Sequence, residues 1–135
     1  MKNWKLIRDI ATQKPEFLVD LIKDAIEDIN AQFPEDRPFF KPESLNTREK
    51  EVYLATLLKE SCSNVIGEEG VKMCILRALE EFDKVYGLFG ESFKIEDDPD
   101  VVRGIFESFF EYIDKEVSYE DFFAEWFEEA KKKTF

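Results

Sequence analysis

Carboxylates are the residues of this chain that could do chemistry, and two sets of them have suggestive spacing. Glu80 and Asp83 stand three apart in a helical pattern. A pair one turn apart can share a magnesium ion, given a second acidic pair on a neighbouring helix. Residues 52–68 offer only Glu60 and Glu68 for that second pair, so the set is incomplete. Asp114 to Glu125 is the other set, with acids at the first, third and last positions of a calcium-loop length. The glycine such a loop needs at its sharp turn is Tyr119, and Asp121 stands where an aliphatic residue belongs. No metal site is expected from either.

Other catalytic chemistry is missing. The chain has no histidine, which removes Ser/His and Cys/His nucleophile pairs and the commonest general base. Two cysteines cannot close a structural zinc site. Gly67 and Gly70 lack the Lys-Ser/Thr that completes a phosphate loop, and no strand precedes Gly87-Leu88-Phe89-Gly90. We therefore expect no cofactor and no enzyme. An enzyme built on carboxylates and a metal is the least favoured alternative.

The elements that would carry these residues are helices. Apolar residues recur every three or four positions in nearly every segment, and no stretch alternates like a strand. Six helices in one bundle are expected, an all-α fold occupying residues 1–135 as a single domain. The first spans about Trp4 to Thr12. The second begins at Pro15, presents Leu18, Leu21, Ile22, Ala25, Ile26, Ile29 and Phe33, and is stopped by Pro34. A Pro-rich connection follows, with Pro34, Pro38 and Pro42 around Phe39 and Phe40. Those two rings either plug the core and pin the loop, or belong to a binding loop.

Asn46 and Glu49 have capping-box spacing, so the third helix should start near Thr47 and run to Cys62. Gly67 and Gly70 bracket the next break. The fourth helix carries Val71, Cys74, Ile75, Ala78, Leu79, Phe82 and Val85 and ends near Gly87. After a loop from Glu91 to Asp98, Asp98-Pro99 starts the fifth helix, which presents Val102, Ile105, Phe106, Phe109 and Ile113. Ser118 and Asp121 suggest a capping pair for a sixth, with Tyr119, Phe122, Phe123, Trp126, Phe127 and Ala130. Cys62 and Cys74 fall on apolar helical faces, where free thiols behave as small buried hydrophobes. With no signal-peptide pattern and no membrane-length apolar run, a cytoplasmic location is expected by default.

Charge and aromatics concentrate at one end. The net charge is −12, and residues 95–130 contain 13 acids against only Arg103 and Lys115. Nine of the 22 residues from Phe106 to Phe127 are aromatic. Such a field repels phosphate backbones and anionic lipid, so neither nucleic acid nor membrane is an expected direct partner. It attracts a basic protein instead. Aromatic anchors inside a charged rim suit an interface. The expected partner-binding residues are Glu107, Phe110, Glu111, Glu120, Asp121, Phe123, Glu125, Trp126, Glu128 and Glu129, with Phe110 toward the edge of its helix's apolar seam.

The stretch Ser118-Tyr119-Glu120-Asp121-Phe122-Phe123-Ala124-Glu125-Trp126-Phe127-Glu128-Glu129-Ala130 resembles the acidic-aromatic box of the W2 domains of translation factors. Those are HEAT-like helical modules whose acidic ends contact basic partner segments. The resemblance covers about 13 of 135 residues, and a second such box is missing. It implies a docking end and no more. The expectation is an acidic helical binding protein that inhibits or regulates a basic macromolecular partner, of the immunity-protein, antitoxin, phage-inhibitor or nucleic-acid-mimic type. The alternative is a non-catalytic helical subunit of a larger assembly.

Overall fold

Where the helical period is strongest, the chain is helical. In a computed structural model, which describes residues 3–90 and 99–117, five helices account for nearly all the regular structure. They are α1 (Trp4–Gln13), α2 (Pro15–Asn30), α3 (Arg48–Cys62), α4 (Gly67–Tyr86) and α5 (Pro99–Glu116). The fold is all-α. The expected sixth helix with its Ser118/Asp121 cap, and the expected loop from Glu91 to Asp98, lie outside the described residues. No described helix is long and apolar enough to cross a membrane.

The helix ends follow local chemistry, with three corrections. Pro15 is the first residue of α2, where its missing N–H costs nothing. That helix ends at Asn30, before Pro34 is reached, and the Asn30 side chain donates to the Phe40 carbonyl of the following loop. Thr47, not Asn46, caps α3: its hydroxyl accepts from the Lys50 N–H at 3.3 Å. Gly67 and Gly70 do not bracket the α3–α4 break but form the first turn of α4, Gly67 with a φ of 80° that disfavours any side chain.

Apolar residues from all five helices join one buried core. Helix α3 packs on α1, α2 and α4, while α5 packs chiefly on α2. Asn3 ties the two ends of the described chain together. Its backbone N–H donates to Asp114 Oδ1 at 2.6 Å, and its Nδ2 donates to the Asp114 and Val117 carbonyls, each at 2.9 Å. The last turn of a helix leaves such carbonyls unpaired, so Asn3 serves as a C-terminal cap for α5.

The long connection after α2 is pinned, not free. Phe39 and Phe40 are 1% and 0% exposed, and Phe40 stacks on Phe89 with ring centres 5.7 Å apart. Burying each ring contributes about 2–3 kcal/mol, enough to hold a loop of this length. The backbone is zipped too. Asn30 accepts from the Phe40 N–H and donates to its carbonyl, both at 3.0 Å, while Lys41 N–H donates to Leu88 O at 2.7 Å. Gly90 N–H donates to Phe39 O at 2.9 Å. A Cβ on Gly90 would strike the Pro38 carbonyl, so only glycine allows this approach.

The cysteines are not free. Cys62, at the end of α3, is bridged to Cys74 of α4, with Cα atoms 5.5 Å apart. Both apolar faces point at the same interhelical seam, and the α3–α4 turn brings the two sulfurs together there.

Candidate functional site

Helix α5 places its residues in three strips. Val102, Phe106, Phe109, Phe110 and Ile113 are buried. Asp100, Glu107 and Glu111, spaced seven and four apart, share one exposed edge. Tyr112 and Glu116 lie on the side toward α2, where burial first, and then the negative charges of Asp24, Glu116, Asp28 and Glu27, push the Tyr112 phenol up. Acids of α2 thus add to the negative field of α5, a juxtaposition that sequence spacing alone does not reveal.

On its other side α5 faces α4 across an open groove of about 390 Å³. Leu76, Phe89, Val102, Phe106 and Phe110 are among the residues that line it, and Met73, 57% exposed, stands at its mouth. Glu69 and Glu80 border it from α4, and Glu107 borders it from α5. Two cations also border it. Lys72 is held in place: its Nζ lies 3.0 Å from Glu68 Oε1 and 4.0 Å from Glu69 Oε1, over the rings of Trp4 and Phe110. Arg103 is exposed beside Glu107 along α5.

Of the expected binding residues, Glu107 lines this groove and Glu111 is exposed one turn further along. Phe110 is a correction. It is 5% exposed and packs edge-on to Trp4 at 5.7 Å, so it is a buried residue at the floor of the groove and not an exposed ring. The cause is tertiary: α1 brings Trp4 against that flank of α5. Glu120, Asp121, Phe123, Glu125, Trp126, Glu128 and Glu129 lie outside the described residues. Sequence reasoning missed the α4 wall. The available signal was Met73 and Leu76, apolar positions that fall outside the stripe of Val71, Cys74, Ile75 and Ala78.

The carboxylates first suspected of binding metal have other work. Asp83 Oδ1 accepts from the Leu88 N–H at 2.7 Å and the Phe89 N–H at 3.2 Å, fixing the turn after α4. Asp114 is engaged by Asn3. Among the described residues, no group of three metal-binding side chains comes together. A larger recess of about 810 Å³ runs between α2 and α3, but Glu16, Asp20, Glu51 and Glu60 alternate there with Arg48 and Lys59. Lys23 also pairs with Glu51 at 2.8 Å. Both recesses carry mixed signs, and what sets the α4–α5 groove apart is its aromatic lining of Phe89, Phe106 and Phe110.

No family model, curated protein or solved structure matches this chain. The resemblance of Ser118–Ala130 to a W2 box therefore stays confined to those residues.

Proposed function

We propose that this chain is an acidic helical binding protein that inhibits or regulates a basic macromolecular partner. The observation that carries this reading is the exposed acidic edge of α5, shared by Asp100, Glu107 and Glu111, of which Glu107 borders a groove with aromatic and aliphatic lining. The sequence from residue 118 to 130 adds five more acids and no base, so the field continues past α5. Opposite charge on the partner speeds encounter, and apolar contact then holds it. An immunity protein, antitoxin, phage inhibitor or nucleic-acid mimic would each use such a surface. The acids Glu120, Asp121, Glu125, Glu128 and Glu129 and the rings Phe123 and Trp126 belong to this proposed surface, as does a sixth helix beginning near Tyr119.

The test is capture from the native host by the wild type and by a charge-reversed chain. Glu107→Lys and Glu111→Lys, combined with Glu120→Lys, Asp121→Lys, Glu125→Lys and Glu128→Lys, should leave the helical content intact and abolish capture. Undiminished capture at physiological salt sinks the reading.

A second reading, a non-catalytic subunit of a larger assembly, draws on exposed Ile66 (80%) and Val85 (60%). Its signature is aggregation of the isolated chain, because such positions would be uncovered. Disulfides persist in oxidising compartments, so the Cys62–Cys74 bridge weighs against a cytoplasmic placement.

A further inference from the structure

We propose that the Cys62–Cys74 bridge is a redox latch, which a dithiol opens through the α3–α4 turn while the rest of the fold stays intact. The inference goes beyond the binding-protein reading and does not depend on which partner is bound. Cys62 is the last residue of α3, and Cys74 stands two turns inside α4. The two are 0% and 3% exposed, so the closed fold offers a reductant no path to either sulfur. Thiol–disulfide exchange needs direct access to a sulfur, so its rate follows whatever motion uncovers the pair.

The turn beside Cys62, residues 63–66, is weakly held. Ile66, the N-cap of α4, offers no side-chain acceptor to the first-turn N–H groups and is 80% exposed. Gly70, in that first turn, lowers the helical population about fourfold relative to alanine. Arg8 reaches the turn from α1, but its Nη1 donates to the Val65 carbonyl at a long 3.4 Å. From Val71 onward α4 is anchored, with Val71, Cys74, Ile75 and Ala78 buried. Fraying as far as Gly70 therefore uncovers Cys62 and leaves Cys74 in the core. A thiolate of the dithiol then attacks Cys62 Sγ, the Cys62–Cys74 bond breaks, and Cys74 leaves as a thiolate that takes up a proton. The donor's second thiol attacks its own sulfur in the mixed disulfide and releases Cys62. Two electrons and two protons pass to the cysteines, and the donor ends as a disulfide. The bridge closes in an oxidising compartment and opens where such a donor meets the chain. With the latch open, only packing holds α4 against α3.

The experiment follows reduction of the full bridged chain by dithiothreitol, with alkylation and intact mass counting the thiols released. The rate should change by less than about twofold from zero urea to just below the unfolding transition, because fraying one turn exposes little surface. Ile113→Val, in α5, raises the globally unfolded population about two- to tenfold, yet should leave the reduction rate unchanged. Gly70→Ala, which places a Cβ 3.6 Å from Val65 Cβ, should slow reduction about fourfold. Arg8→Ala should speed it by about threefold or more. In the reduced, folded chain, peptide masses should show Cys62 alkylated about tenfold faster than Cys74.

A rate that climbs steeply with urea, or rises with Ile113→Val in step with the unfolded population, shows that only the unfolded chain is reduced and overturns the proposal. Equal alkylation of the two cysteines overturns the route through the turn. So does a rate indifferent to both Gly70→Ala and Arg8→Ala in chains of unchanged helical content. Two free thiols in the unreduced chain would leave no latch at all.

Discussion

Reducing the Cys62–Cys74 bridge should destabilise the chain by an amount that can be worked out beforehand. The bridge joins residues 12 apart, across the α3–α4 turn. Freeing a loop of that length returns about 3 kcal/mol of chain entropy to the unfolded state. For 135 residues the unfolding entropy is about 280 cal/mol/K, so the melting temperature should fall by about 10 °C. Thermal and urea unfolding of the wild type with and without a reductant measures this directly. The Cys62→Ala/Cys74→Ala double variant supplies the control, since its stability must not respond to reductant. Alkylation of the denatured, unreduced chain, read by intact mass, should add no label. Two labels on the unreduced chain, with a melting point indifferent to reductant, would refute the bridge.

Three more perturbations follow from the geometry. Asp83→Ala strands the Leu88 and Phe89 N–H groups and should cost about 1–3 kcal/mol by urea unfolding, whereas Asp83→Asn, which still offers an acceptor, should cost less. Gly104 is in the exposed middle of α5, with no atom within 4 Å of where a Cβ would stand, so Gly104→Ala should stabilise by about 0.5–1 kcal/mol; destabilisation would refute this. Burial, outweighing Lys23, raises the Asp20 pKa, with Glu51 and Asp24 adding to the rise. A raised folded-state pKa means stability is lost as pH climbs through it. Asp20→Asn should therefore gain stability relative to wild type at pH 7, and that gain should vanish below the ordinary aspartate pKa of 3.8, as a pH series of melts would show.

Local pattern was enough to name the five described helices, because each apolar stripe is a property of a few consecutive turns. Pro15 and Pro99 mark two starts for the same reason: a proline's missing donor is harmless only there. The acidic bias of the chain's end was equally plain, since charge is additive along a sequence.

Tertiary structure decided what depends on residues far apart in the chain. Phe39 and Phe40 are core because Phe89 and Phe106 close over them, a contact no local period encodes. Phe110 is core because Trp4 arrives from the other end of the chain. Cys62 and Cys74 pair because the turn between α3 and α4 sets two helical faces opposite each other. The groove exists because α5 rests on α2 while α4 rests on α3 and α1. One-dimensional pattern says which face of a helix is buried, but only packing says what covers it and where it stays open.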